Sequence, residues 1–314
     1  MKKNIKIMVF VVLLIIIGIC LLHLLDNDNS LLLPVQEKIN TTIQKTEKQV
    51  RSATAVKIDH IVIITMENKS YGEIVGNNAA PYINSLISQY SLATNYFAVS
   101  HPSLPNYIAL IGGSTFGIAS DCTDCYVSST NLIDQLEESH KTWKAYMESM
   151  PSPCFIGSAN SYAQKHNPFI YFDNIRNNQN RCNNIVPYSQ LASDFKFKDS
   201  TPNFVWISPN LCSDMHDCSV QKGDTWLSEQ IPILLNSQAF KEQNLLLIVT
   251  WDEREGTEEN KVPTILIGKN VKKKFISQAS YTHHSLLHTI ENLWNISPLT
   301  ANVSQSSVMT EFFQ

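Results

Sequence analysis

The sequence predicts a doubly wound α/β fold, with a mostly parallel central sheet and helices on both faces. Two observations predict it. Short apolar, β-branched runs recur at 60–65, 203–207, 245–250 and 263–267. Continuous apolar runs of this length fit strands buried on both faces, as in a parallel sheet. Helical stretches alternate with them, at 82–89, 131–138, 225–235 and 285–293, and such alternation defines the class. Ligands of these sheets bind beyond the carboxyl ends of the strands. The residues just past each strand are therefore the first candidates for function.

The chain opens with Lys2, Lys3 and Lys6, followed by an apolar run at 7–25 that only His23 interrupts. At about 1.5 Å per residue the run nearly spans a hydrocarbon core of about 30 Å. Asp26 and Asp28 come next. The positive-inside rule then predicts a single-pass membrane anchor over residues 1–25, with the bulk of the chain outside the cytoplasm. A cleaved signal peptide, giving a secreted protein, is the alternative. No small-x-small cleavage site follows the apolar core, which favours the anchor. Residues 26–57 are polar and read as a linker that holds the domain off the membrane. Residues 58–314 are long enough for one sizeable domain. The formal net charge is −4 and no basic stripe is present, which argues against a nucleic-acid partner.

Of seven cysteines, Cys20 falls in the apolar run, leaving Cys122, Cys125, Cys154, Cys182, Cys212 and Cys218. An even number in an exported chain suggests disulfides. Nearness favours Cys122–Cys125, Cys154–Cys182 and Cys212–Cys218 among the alternatives. A zinc site on Cys122-x-x-Cys125 would need a second pair at matching spacing, and there is none.

The chemistry is carried by the segments just past the strands. Met66-Glu67-Asn68 comes after the first. Ser208-Pro209-Asn210-Leu211-Cys212-Ser213-Asp214-Met215-His216-Asp217-Cys218 comes after the run at 203–207. Trp251-Asp252-Glu253 comes after the run at 245–250. Acidic residues commonly solvate loop tips, but two pairs of hard oxygen ligands converging on one rim make a divalent cation site. His101-Pro102-Ser103-Leu104-Pro105-Asn106-Tyr107 lies between a β-like run at 96–99 and an apolar helical run at 107–111. Ser103 can cap that helix, with Pro105 in its first turn. Equally it can be a nucleophile, its charge stabilised by free N–H groups and the helix dipole. His166 in Lys165-His166-Asn167-Pro168 and His283 in Tyr281-Thr282-His283-His284 complete the candidates.

Together these motifs, in this order over residues 60–294, resemble the bacterial and fungal phosphoesterase family of acid phosphatases and phospholipases C, within the alkaline-phosphatase-like superfamily. The acid phosphatase branch is the nearer. His284 departs from the pattern, where an aromatic residue is more usual, so His283 is the better candidate of that pair. The resemblance implies that Glu67, Asn68, Ser103, Asp252 and Glu253 hold a divalent metal cation. Ser103 would attack phosphorus, and the reaction would pass through a phosphoseryl intermediate. His166, His216 and His283 would bind phosphate oxygens or protonate the leaving group. Asn106, Asp214 and Asp217 are implied as secondary, substrate-binding positions. The implied activity is hydrolysis of phosphate monoesters, of small molecules or lipids. A phospholipase C-type phosphodiesterase or a phosphoinositide phosphatase is the alternative.

Overall fold

The computed structural model describes residues 56–256 and 259–314. The expected anchor at 7–25, and all but the last two residues of the expected linker, lie outside the described residues. Among those described, no helix is long and apolar enough to cross a membrane.

A nine-stranded sheet forms the core. In chain order its strands are β1 (His60–Met66), β2 (Ser91–Phe97), β3 (Trp143–Met147), β4 (Ile185–Pro187), β5 (Phe204–Ser208), β6 (Leu245–Trp251), β7 (Lys261–Gly268), β8 (Phe275–Ser277) and β9 (Tyr281–Thr282). Their order across the sheet is β4-β3-β5-β1-β6-β7-β2-β8, with β9 also beside β2. β1 lies between β5 and β6 and is parallel to both. Every residue of β1, β5 and β6 is buried. That is why these strands read as unbroken apolar runs rather than as alternating ones.

β7 departs from the expected direction. It is antiparallel to both β6 and β2. Residues 252–260 join β6 to β7, too few for the crossover a parallel pair needs, so the chain turns back as a hairpin. The remaining strands share one direction, and their carboxyl ends fall along one edge.

The predicted helices are present at Pro81–Gln89, Leu132–Glu138, Val220–Asn236 and His283–Leu293. Another runs from Ser103 to Gly112 and is buried at all ten residues, which explains its apolar character all round. It ends at Gly113, whose φ of 68° is the left-handed conformation that a glycine C-cap supplies. A Cβ at Gly113 would also meet Val303 and Thr300. The cysteines pair as nearness favoured: Cys122–Cys125, Cys154–Cys182 and Cys212–Cys218.

Candidate active site

Three parallel strands end together, and backbone hydrogen bonds tie the residues just beyond them. The Glu67 N–H donates to the Asp214 carbonyl at 2.9 Å, and the Asp252 N–H donates to the Met66 carbonyl at 3.0 Å. The Asn68 N–H donates to Asp252 Oδ1 at 3.2 Å. Asn68 itself has a φ of 51°, a left-handed conformation that asparagine tolerates better than most residues. Glu67, Asp214 and Asp252 are completely buried, and Glu253 nearly so.

Ser103 joins this cluster from the end of β2. It is not the cap of its own helix. Pro102 holds the cap position without a side-chain hydrogen bond. The Leu104 N–H, which a cap would satisfy, donates instead to Asp121 Oδ1 at 3.0 Å. Ser103 is the first residue of the helix, and its Oγ points out of the turn to Glu67 Oε2 at 3.0 Å and Glu253 Oε1 at 3.3 Å. Glu253 Oε2 also meets His101 Nδ1.

The histidine side of the cluster is built from two loops. His166 is buried, with Nε2 3.1 Å from Glu67 Oε1 and Nδ1 3.1 Å from Asp214 Oδ2. Tyr107 stacks on its ring with centroids 5.3 Å apart. His216 belongs to the loop that Cys212–Cys218 closes. Its N–H donates to Asp214 Oδ1 at 2.8 Å, and its Nδ1 lies 2.6 Å from Asp217 Oδ1.

Burial pushes the carboxyls upward: Glu67 well above the usual range, Asp252 to about 7, and Asp214 and Glu253 to about 8. Asp252 adds to the rise at Glu67 and at Glu253. Burial holds His166 well below the ordinary histidine value, and the charge of Lys165 adds to that. Several acids thus share a dry space without enough positive charge to ionise them together.

The donor set fits a divalent cation. Glu67 Oε1, Asp214 Oδ2, Asp252 Oδ2 and both ring nitrogens of His166 are buried without a well-aligned hydrogen-bond partner. Buried polar atoms ordinarily have one. Ligand atoms of Glu67, His166 and His216 lie within 4.8 Å of one another. Carboxylate and imidazole donors of this kind suit hard or borderline divalent metals.

Of the expected site residues, the fold gathers Glu67, Asn68, Ser103, His166, Asp214, His216, Asp252 and Glu253. Asp217 lies at the outer edge, its side chain 57% exposed. Two residues stand elsewhere than expected. His283 is fully buried behind Asp252: Nε2 bonds the Asp252 carbonyl, and Nδ1 is 3.0 Å from the Tyr96 hydroxyl. With both nitrogens engaged, and burial pulling its pKa to about 4, the ring braces Asp252 rather than facing a substrate. Asn106 accepts from the N–H groups of Val99 and Ser100 and donates to the carbonyls of Ser100 and Pro102. It shapes the turn before Ser103 and has no polar atom left over. Lys165 and Asp121 were not anticipated from sequence. Lys165 stands directly before His166 in the chain, which is the signal that could have pointed there.

A parallel α/β sheet that gathers acidic residues and a serine at its strand ends is an alkaline-phosphatase-like fold. An alkaline phosphatase superfamily protein from Vibrio parahaemolyticus superposes with a TM-score of 0.55 at 14% identity, covering 78% of this chain and 69% of that one. The lipoteichoic acid synthase LtaP from Listeria monocytogenes does so at 0.56 and 11%, covering 80% and 76%. At such identities the likeness is one of fold. Sequence carries the assignment further. The Phosphoesterase family profile matches residues 76–297. A phosphatidylinositol-3-phosphatase of Mycobacterium tuberculosis is 33% identical over 258 residues, covering 81% of this chain and 82% of the relative. A probable acid phosphatase of Kluyveromyces lactis is 30% identical, covering 88% and 68%. The chain belongs to the Phosphoesterase family, and it is a hydrolase of phosphoric esters.

Proposed function

We propose that this chain is a metal-dependent phosphomonoesterase that transfers the phosphoryl group first to Ser103 and then to water. One observation carries the reading: a buried serine hydroxyl lies between Glu67 and Glu253, within a cluster of buried metal-ligand atoms that lack a well-aligned hydrogen bond. Glu67, Asn68, Ser103, Asp252 and Glu253 would hold the cation, with His166 and Asp214 beside Glu67 as further donors. A divalent cation held there supplies positive charge for the attacking oxygen and for the phosphoryl group.

The chain's own residues do the rest. Glu67 and Glu253 orient Ser103 Oγ, and one of their carboxylates takes its proton. The Oγ–P bond forms as the bond to the leaving oxygen breaks, and the departing alkoxide takes the proton that the carboxylate removed from Ser103. Water then attacks phosphorus from the open side, the P–Oγ bond breaks, and the serine regains its proton. Burial of Ser103 keeps bulk water from competing with the first step. His283 holds the Asp252 backbone in place and Asn106 the turn before Ser103, so both act through other residues.

The relatives named phosphatases support monoester hydrolysis. The one named a phosphatidylinositol-3-phosphatase makes a phosphoinositide monoester the lipid substrate to test first. The apolar run at 7–25, with lysines before it, supports tethering to a membrane. Three disulfides support a position outside the cytoplasm. The test uses the full chain, stripped of metal and reloaded with single divalent ions. It compares p-nitrophenyl phosphate, bis(p-nitrophenyl) phosphate and vesicles bearing phosphatidylinositol 3-phosphate. Phosphate release from the monoesters, restored only by metal, is expected. Faster cleavage of the diester would overturn the reading in favour of a phospholipase C-type activity.

A further inference from the structure

We infer that Lys165 binds the non-bridging oxygens of the phosphoryl group, and that Asp121 positions it against Ser103. The inference rests on the phosphomonoesterase reading of this site and names a binding residue for it.

A phosphate dianion that reacts with Ser103 must come close to Glu67 and Glu253, with Asp214 and Asp252 behind them. Carboxylates repel it, so a fixed positive charge is needed near the reacting atoms. The three histidines expected at the phosphate are already committed to protein partners. His283 is buried with both nitrogens engaged. His166 is buried against Glu67 and Asp214, with Lys165 next to it in the chain. At His216 the hydrogen bonds fix the tautomer. The Lys165 ammonium has no lone pair to accept with, so at 3.1 Å it donates to His216 Nε2. The remaining hydrogen is then on Nδ1 and is donated to Asp217. Both ring nitrogens of His216 are thus engaged, by Lys165 and by Asp217.

Lys165 is well placed to contact an anion. An ammonium has three hydrogens to donate. One goes to Asp121 Oδ2 at 2.9 Å and one to His216, leaving the third. The side chain keeps 20% of its surface exposed, so an incoming anion can reach it. Asp121 stands beside it as the counter-ion.

Asp121 supplies the positioning. Its Oδ2 accepts from Lys165, while its Oδ1 accepts from the N–H of Leu104, the residue after Ser103. One carboxylate therefore fixes the ammonium to the first turn of the helix that presents Ser103. Charge-assisted hydrogen bonds of this kind are among the stronger ones.

The test measures the inhibition constant of inorganic phosphate, together with KM and kcat for p-nitrophenyl phosphate. It compares metal-loaded wild type, Lys165→Met, Lys165→Arg and Asp121→Asn at equal metal occupancy. Lys165→Met is expected to raise both the phosphate inhibition constant and KM by about 10- to 100-fold, the range of a charged hydrogen bond. Lys165→Arg, which keeps the charge, should recover part of the loss. Asp121→Asn should weaken phosphate less than Lys165→Met and lower kcat as well. A phosphate inhibition constant within about twofold of wild type in folded Lys165→Met would overturn the inference, leaving Lys165 as a counter-ion to the carboxylates. If Lys165→Met does not fold, Lys165→Arg and Asp121→Asn decide it, and unchanged phosphate binding in both overturns it equally. Failure of the underlying reading looks different: wild type itself would then release no phosphate from the monoester.

Discussion

Two serines begin helices just past parallel strands, and the structure uses them in opposite ways. Ser70 comes after β1. Its side chain accepts from the Glu73 N–H, and the Glu73 carboxylate returns a bond to the Ser70 N–H, a complete capping box. Ser103 comes after β2, and its side chain caps nothing. Pro102 holds the cap position there and has no side-chain acceptor, so the Leu104 N–H is satisfied by Asp121, seventeen residues away. A cap formed within one turn is the simple local solution. At the second helix the acceptor comes from a distant loop because proline holds the cap, and the serine one residue further on turns its oxygen to Glu67 and Glu253.

That contrast predicts unequal effects of equal substitutions. Ser103→Ala should lower phosphate release by on the order of a thousandfold or more, since a nucleophile and its activating groups act as a unit. Acid quenching of wild type with substrate, followed by mass spectrometry, should locate phosphate on Ser103. Phosphate found reproducibly on another residue would erase the distinction between the two serines. Asp252→Asn should come next: it keeps the shape but removes a charge from the cluster. Metal affinity measured by titration calorimetry should fall at least tenfold, in line with the roughly 10- to 100-fold that metal-site substitutions commonly cost, and activity should fall with it. Unaltered affinity would place the cation on the histidine side alone.

The third effect is on stability against pH. Asp252, Asp214 and Glu253 are raised to about 7 or 8 in the folded chain, whereas unfolded carboxyls titrate near about pH 4. Between those values the folded state binds more protons than the unfolded one. Stability is thus greatest below about pH 4–5 for these groups and declines as pH rises through about 7 to 8. The melting temperature of metal-free protein should fall from about pH 5 to about pH 8, and added divalent cation should restore most at the upper end. A melting temperature that rises over that interval, with metal excluded, would contradict this picture of the buried acids. The smallest effect belongs to Ser70→Ala. Loss of its cap should cost about 1 kcal/mol of stability, read from denaturant unfolding, and leave turnover nearly as it was. A loss of turnover comparable to that of Ser103→Ala would mean the two helix starts are not so different after all.

How much was legible depended on where each bond was made. β1, β5 and β6 were visible because burial on both faces leaves nothing but apolar residues. The acidic pairs were visible because parallel strands place their succeeding residues on one rim. The direction of β7 was not carried by its apolar run, since periodicity says nothing of direction; the short connection at 252–260 decided it. β3, with Lys144 inside it, and the three-residue β4 and β8 lack a clear pattern. Within the site, Ser103 was ambiguous because its neighbours offer a good helix start, and only the folded chain shows Pro102 at the cap and the serine hydroxyl turned to Glu67 and Glu253. Lys165 was missed for the same reason: its carboxylate partner lies 44 residues away. His283 and Asn106 look like ligands in sequence, yet their polar atoms are spent on backbone groups and one tyrosine, contacts that spacing alone cannot show.

The place of β1 in the sheet has a further consequence, for the order in which the protein comes into being. β1 is the first strand of the sheet to be made, yet β5 and β6 lie far down the chain from it, and Asn68 meets Asp252 across 184 positions. Contacts so distant along the chain are slow to form and come late in folding. The acidic centre can therefore exist only after β6 has left the ribosome and slotted beside β1. Until then Glu67 is a solvated carboxylate without Asp252 beside it. Restoration of phosphatase activity during refolding would accordingly report completion of the whole sheet, lagging behind the return of helical signal.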